Sequence, residues 1–135
     1  MLTRRGFVGC ALCAVAGFLA TGADAQNAPS GLKRTIIKRT DGPAPGYETI
    51  NVKVEIEAGA PIMRHTHFGI ESSYVVSGST ELTIEGEGAK TYAAGDGFQV
   101  AAGVPHGGKN GDQPTVIAAT YVVEKGKPLA TPAPA

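Results

Sequence analysis

The histidines of this chain are concentrated where they could bind a metal ion. Two of the three, His65 and His67, lie one residue apart in the stretch RHTHFGIE, and a carboxylate follows at Glu71. The third, His106, lies far downstream in GVPHGGKN. Imidazole nitrogens and carboxylate oxygens together suit Fe²⁺, Mn²⁺, Co²⁺, Ni²⁺, Cu²⁺ or Zn²⁺. We therefore expect all four side chains to converge on one divalent transition metal.

The local pattern around the paired histidines is that of a strand. Residues at i and i+2 of a strand share a face, so His65 and His67 would point the same way, with Met63 beside them. Gly69 would allow a sharp turn that brings Glu71 back toward the imidazoles. An octahedral ion with four protein ligands keeps two positions for water, oxygen or substrate, and a catalytic metal needs such open positions.

The elements that must position these residues are predicted to be β-strands. Apolar and polar residues alternate in TINVKVEIE (49–57) and in STELTIEGEGAKTYAAGD (79–96), which turns at Gly86–Gly88 and at Gly95. TVIAATYVV (115–123) is a longer β-branched run that suits a strand buried on both faces. Short strands separated by glycine turns indicate an all-β protein, and without an internal repeat we expect a single barrel.

The two ends of the chain are predicted to lie outside this barrel. Residues 1–25 combine paired arginines, a short apolar run and a small-residue cleavage site, which is typical of a secretory signal of the twin-arginine type. Residues 26–31 form a polar linker, and 125–135 form a Pro/Ala-rich tail that we expect to be mobile. The barrel is then assigned to residues 32–124, in a periplasmic or secreted protein. An ordinary export signal is the alternative.

Composition excludes several classes of function. Both cysteines lie within the predicted signal, so the mature chain would have neither disulfides nor a catalytic thiolate. Removing residues 1–25 would leave 10 basic and 11 acidic residues without a basic cluster. This balance offers no electrostatic basis for binding nucleic acid or, after signal cleavage, an anionic membrane. A small molecule is the expected partner.

Two stretches resemble the conserved motifs of the cupin superfamily. GAPIMRHTHFGIESSYVVSG fits the first motif, G-x5-H-x-H-x3-E-x6-G, and GDGFQVAAGVPHGGKN is similar to the second, with Ala101 at the position usually held by proline. The resemblance, to small single-domain members of the cupin_2 type, implies a double-stranded β-helix or jelly-roll barrel. It also assigns the metal-ligand roles to His65, His67, Glu71 and His106.

The resemblance does not choose one activity. With Fe²⁺ it implies dioxygenase-type chemistry on a small oxygenated molecule, in which Glu71 could also take a substrate proton. With Mn²⁺, Ni²⁺ or Zn²⁺ it implies isomerase, decarboxylase or lyase chemistry on such a molecule. Fe²⁺ and Mn²⁺ are favoured because twin-arginine export carries proteins already folded in the cytoplasm. The alternative is a non-catalytic periplasmic protein that binds a metal or small ligand. A homodimer through the edge near LKRTIIKR is also consistent with the resemblance.

Other residues have weaker assignments. Alternation from Glu71 points Ser73 and Val75 into the barrel, where Ser73 either packs or leaves room beside the metal. Asn110 is expected to bond local backbone in a turn. Four further side chains could border a substrate cavity or belong to the core or surface: Phe68, Tyr92, Phe98 and Gln99.

Overall fold

The computed structural model describes residues 31–135, which form ten β-strands and no helix. Within that range, therefore, no helix is long and apolar enough to cross a membrane. The predicted signal peptide (1–25) and all but the last residue of the predicted linker (26–31) lie outside the described residues. The strands are β1 (Leu32–Asp41), β2 (Tyr47–Ile56), β3 (Pro61–Thr66), β4 (Gly69–Ser77), β5 (Ser79–Ile84), β6 (Gly88–Ala93), β7 (Gly97–Val100), β8 (His106–Asn110), β9 (Thr115–Glu124) and β10 (Thr131–Pro132).

The strands form two antiparallel sheets with the core between them. The first sheet has the order β1-β2-β9-β4-β7, and the second has the order β10-β3-β8-β5-β6. Strands that neighbour one another in a sheet are mostly distant in sequence, as in a double-stranded β-helix. The prediction of an all-β protein with a single barrel is confirmed.

The alternating strands bury one face each, as their sequences predict. On β2 the apolar residues Ile50, Val52, Val54 and Ile56 are buried, and burying each such side chain contributes about 1.5–3 kcal/mol. The prediction that 115–123 would be buried on both faces is wrong. β9 pairs with β2 and β4 along its two edges, but only its inward residues are fully buried, and those facing outward are partly or largely exposed. Its apolar run reflects a central position in the sheet.

A register shift in β3 changes which residues accompany the histidines. β3 pairs with β8 through Ile62 and again through His65, and the pairing is irregular between them. A β-bulge inserts an extra residue and re-aims the side chains that follow it. Ile62 therefore points into the core with His65, whereas Met63 is exposed. The expectation that Met63 would lie beside the histidines is wrong.

The C-terminal tail is part of the barrel. Leu129 is 7% exposed, and β10 pairs with the end of β3. The amide of Ala133 also donates to the carbonyl oxygen of Arg64 at 3.0 Å. The expectation that residues 125–135 would lie outside the barrel is therefore wrong, because Leu129 among the prolines and alanines is buried and β10 pairs with β3.

β1 is one of the two edge strands of the first sheet. Ile36 and Ile37 on this strand are exposed. An edge strand presents unpaired backbone groups, to which a second chain could pair. The homodimer stays a prediction.

Candidate metal centre

The four predicted ligands lie together inside the barrel. His65 is on β3, His67 follows β3 directly, Glu71 is on β4 and His106 begins β8. One ligand atom from each can be chosen so that all lie within 4.8 Å of one another. All four residues are buried, with exposures of 2–8%. The structure thus brings together residues up to 41 positions apart, as the motif spacing predicts.

Two strand pairings set this arrangement. His65 lies opposite His106 in the β3–β8 pair of the second sheet. Glu71 lies opposite Tyr121 in the β4–β9 pair of the first sheet, so its side chain faces the imidazoles across the core. A glycine is needed at position 69 because β4 and β9 approach each other closely there, and a Cβ would lie 1.9 Å from the carbonyl oxygen of Val122. Its φ angle is not in the left-handed region, so the expected sharp turn is not its role.

Each imidazole is oriented by a backbone carbonyl. The Nδ1–H of His65 donates to Met63 at 2.7 Å, and that of His106 donates to Val104 at 3.0 Å. The Nδ1–H of His67 donates to the carbonyl oxygen of Leu129 in the C-terminal segment. Because a carbonyl can only accept, Nδ1 must carry the proton in all three rings. In a neutral ring this leaves Nε2 with a free lone pair, which is the form that binds metal.

Two of the three Nε2 atoms lie beside one carboxylate oxygen. Oε2 of Glu71 lies 2.9 Å from Nε2 of His67 and 3.4 Å from Nε2 of His106, without hydrogen-bond geometry to either. Two acceptor atoms at 2.9 Å repel each other unless a proton or a cation lies between them. The other oxygen, Oε1, accepts a hydrogen bond of 2.6 Å from the hydroxyl of Ser73. Ser73 thus orients the carboxylate, which neither of its sequence-based interpretations had included.

The electrostatics favour the metal-binding forms of His65 and Glu71. Burial lowers the pKa of His65 from 6.5 to about 3, and the neighbouring His106 acts in the same direction. Burial acts to raise the pKa of Glu71, but His106 and His67, when a proton lies between Nε2 and the carboxylate, and the hydrogen bond from Ser73 act to lower it, so the pKa lies below its ordinary value. A neutral imidazole and an ionised carboxylate are the forms that ligate a metal.

These observations show that the residues fit a divalent metal. The donor set of three imidazole nitrogens and one carboxylate is that of a transition-metal site. Among the described residues, the buried Nε2 atoms of His67 and His106 have no hydrogen-bond partner. Such orphaned buried acceptors are costly unless another group, such as a cation, satisfies them. That an ion binds here stays a prediction, as does its identity.

Sequence reasoning missed two residues of this site. Arg34 on β1 places Nη2 3.4 Å from Nε2 of His65, and Tyr121 on β9 packs its ring against His67 at 4.9 Å between centroids. Burial and the Glu71 charge raise the pKa of the Tyr121 hydroxyl, so it stays protonated. The signal was present in the alternation: Arg34 is two residues after Leu32, and Tyr121 is on the inward face of 115–123.

The other candidates have structural or peripheral positions. Phe98 borders the cavity beside the ligands and packs on Tyr92 at 5.0 Å. Gln99 is exposed and donates to the hydroxyl of Ser72, and Phe68 lies near the surface under Lys127. The amide nitrogen of the buried Asn110 reaches backbone carbonyls, which agrees with its expected structural role.

The cavity at the ligands is small and mostly apolar. Its open volume is about 30 Å³. At roughly 10–15 Å³ per water, it has room for about two water molecules. Aliphatic and aromatic side chains form most of its wall, and the charged residues among its lining are Arg34 and Glu71. Such a site excludes bulk water and strengthens electrostatic interactions inside it.

Family comparison agrees with this geometry. A family model described as the cupin domain matches residues 52–127. The chain belongs to the cupin family. The matched segment contains all four candidate ligands, and the family assignment made from the two motifs is confirmed. A comparison of this cupin with curated proteins finds no match.

Solved structures share the architecture. KdgF from Halomonas sp. is 25% identical, with a TM-score of 0.60 over 74% of this cupin and 87% of that chain. The DMSP lyase DddQ from Ruegeria pomeroyi DSS-3 is 21% identical, with a TM-score of 0.64 over 84% and 56% of the two chains. The polyketide cyclase RemF from Streptomyces resistomycificus is 18% identical, with a TM-score of 0.61 over 78% and 73%. The last two identities show the fold alone.

Proposed function

We propose that this cupin is an exported metal-dependent enzyme that acts on a small oxygenated organic molecule. One observation carries the proposal: each imidazole donates its Nδ1–H to a backbone carbonyl, which leaves Nε2 as the ligating atom of a neutral ring, and Nε2 of His67 and of His106 lie 2.9 Å and 3.4 Å from the carboxylate of Glu71. A purely structural histidine cluster has no need for three rings held in the same tautomer. Fe²⁺ and Mn²⁺ are the favoured ions, and Ni²⁺, Co²⁺, Cu²⁺ or Zn²⁺ also suit the ligands.

The bound ion would supply Lewis-acid activation or, as Fe²⁺, chemistry with oxygen. His65, His67 and His106 would hold it through Nε2, and Glu71 would hold it through a carboxylate oxygen. The chain's residues would do the rest. Glu71 is an ionised base within the cavity, and Tyr121 holds a proton at its hydroxyl near this carboxylate. The aliphatic walls would exclude water from reactive species.

Two classes of reaction are consistent with this proposal. An oxygen-dependent dioxygenase reaction requires Fe²⁺. Isomerase, decarboxylase or lyase chemistry requires only a Lewis acid. A lyase and a cyclase among the similar structures are compatible with the second class, but their low identities give it little weight.

The choice of metal depends on the proposed export route. Affinity for such ligands rises toward Cu²⁺, so a site folded outside the cytoplasm would fill with Cu²⁺ or Zn²⁺. Folding before twin-arginine export would let Fe²⁺ or Mn²⁺ bind first. Replacing the native signal with one for unfolded export should therefore change the metal recovered from the periplasm. Identical metal content by both routes would contradict this expectation.

The second candidate function is capture of a metal ion or a very small ligand without turnover. The cavity volume of about 30 Å³ favours it, since small-molecule pockets usually span roughly 300–1,000 Å³. An enzyme with this site would need a substrate of which only a small part enters the cavity, or an opening motion of the walls.

One experiment separates the two functions. Protein purified from its native periplasm is analysed for metals and then tested with simple phenols and keto acids in an oxygen electrode. Rapid oxygen uptake by wild type, lost in Glu71→Gln but kept in the exposed control Glu81→Gln, would support the dioxygenase branch. Product analysis without oxygen tests the Lewis-acid branch. A stoichiometric metal with no turnover of any candidate would support capture instead.

A further inference from the structure

Arg34 is an unusual neighbour for a metal ligand. It extends from β1 into the cavity, and Nη2 lies 3.4 Å from Nε2 of His65. Its Nε atom is buried and has no hydrogen-bond partner among the described residues. A guanidinium stays charged at any ordinary pH and has donors but no acceptor. Arg34 therefore cannot be a ligand, and its role beside one must concern negative charge.

Metal binding would remove the acceptor that Arg34 contacts. In the metal-free site, Nε2 of His65 accepts from Arg34, because its Nδ1–H donates to Met63. The same lone pair is the one that would ligate the ion. The N–H groups at Nε and Nη2 of Arg34 would then face the cavity, and His65 would no longer accept a hydrogen bond from the guanidinium. The hydroxyl of Tyr121 lies within reach of the guanidinium, but Nε has no partner, and buried donors without partners are costly, so a further acceptor would be favoured there.

The charge balance of the cavity indicates that this acceptor is an anion. Arg34 and Glu71 are the charged residues among the described lining, and with neutral imidazoles their charges cancel. A divalent cation would raise the net charge to about +2 inside apolar walls, where unpaired charge is strongly unfavourable. A bound anion offsets this charge. The planar guanidinium fork, with Nε and Nη2 both available, matches a carboxylate in particular.

We infer that Arg34 binds the carboxylate of an organic acid beside the metal ion, which makes small carboxylic acids the ligands of this site. The inference rests on the proposed metal function and narrows its substrate class from oxygenated molecules in general. The small cavity is consistent with it, since a carboxylate group has only three heavy atoms. Metal and carboxylate would then bind cooperatively, because each supplies the charge that the other needs.

The test uses Co²⁺ and formate as probes, with binding measured by calorimetry and chelator competition at neutral pH. For wild type, saturating formate should tighten Co²⁺ binding about tenfold, and Co²⁺ should tighten formate binding by the same factor. Formamide, which has nearly the same size but no charge, should have no effect. These measurements need no variant.

Two variants assign the effect to the side chain. Arg34→Met should abolish the coupling to formate while binding Co²⁺ alone at least as tightly as wild type, since a repelling charge is removed. Arg34→Lys keeps the charge without the fork and should retain only part of the coupling. Arg39→Met, on the same strand but paired with Glu48 at the surface, should behave like wild type.

The outcomes separate the inference from the proposed function. Wild type that binds Co²⁺ without any response to formate would refute the role of Arg34 alone, as would coupling that persists in a folded Arg34→Met protein. Wild type that fails to bind any divalent metal would refute the proposed function and the inference with it.

Discussion

The two sheets of the barrel contribute differently to the candidate metal centre. The second sheet provides His65 and His106, and His67 follows its strand β3 directly; each of the three rings is fixed by a backbone carbonyl. The first sheet provides two charged side chains and a protonated hydroxyl: Arg34 on β1, Glu71 on β4 and Tyr121 on β9. The metal position is therefore determined mainly by one wall, and the charge and reactivity of the site by the other.

This division has a consequence for mutation. Removing any of the four ligands should remove the metal, whereas changing the residues of the first sheet that surround Glu71, such as Arg34 or Ser73, should alter the metal affinity or the bound ligand. The fold should survive either kind of change, because stability comes mainly from the apolar core between the sheets.

The largest effect on metal binding is expected from removing one of the imidazole ligands. His106→Ala, or His65→Ala, should abolish stoichiometric metal binding, because three ligands in a buried site cannot replace the fourth. Elemental analysis after gel filtration measures this loss, and circular dichroism checks that the barrel is folded. Lys109→Ala on the same β8 strand is exposed and serves as the control. Full metal content in both histidine variants would contradict the ligand assignment.

A smaller effect is expected from the C-terminal segment that orients His67. A chain ending at Pro128 lacks the carbonyl of Leu129, whereas a chain ending at Ala130 keeps it. Losing a partner that orients a ligand typically weakens metal binding about 10–100-fold. We expect this loss in the shorter chain only, measured by chelator competition. Equal affinities in the two chains would show that the contact does not position the ring.

A smaller loss of metal affinity is expected from a change at Ser73, which orients Glu71 in the first sheet. Ser73→Ala removes the hydrogen bond to Oε1 of Glu71, and we expect about a tenfold loss of metal affinity. Ser72→Ala is the matched control, since its hydroxyl faces outward and contacts Gln99. If both variants lost affinity equally, the hydrogen bond to Glu71 would not be the cause.

The smallest effect concerns the stability of the metal-free protein as pH changes. The pKa of His65 is about 3 in the folded chain and near 6.5 in the unfolded chain. Between these two pH values the unfolded chain binds more protons at this residue than the folded chain does. The contribution of His65 to the free energy of unfolding is therefore complete above pH 6.5 and is lost as pH decreases toward 3. The slope from this residue is at most about 1.4 kcal/mol per pH unit. Urea denaturation at several pH values should show that the free energy of unfolding changes less steeply with pH in His65→Gln than in wild type. An unchanged pH dependence would contradict the lowered pKa of His65.

Much of this account could be predicted from the sequence, because its signals are local. Alternation revealed the strands, and the spacing of the two motifs identified the four candidate ligands before any contact was known. Gly69 was expected to allow a sharp turn, whereas the structure shows that a side chain there would collide with the backbone of Val122.

The remainder depends on contacts between distant segments. Arg34 and His65 meet only when β1 and β3 face each other across the core. Leu129 lies in a tail whose composition indicates disorder, yet it contacts His67. The bulge that turns Met63 outward arises from pairing with β8, which no local pattern encodes. Such effects require the packed barrel.

The most direct test of the central claim is a crystal structure of the metal-loaded protein with anomalous scattering data. We predict one peak about 2.0–2.2 Å from Nε2 of each histidine and from a carboxylate oxygen of Glu71. A peak elsewhere, ligation through Nδ1, or a loaded crystal with no ion among these side chains would contradict it.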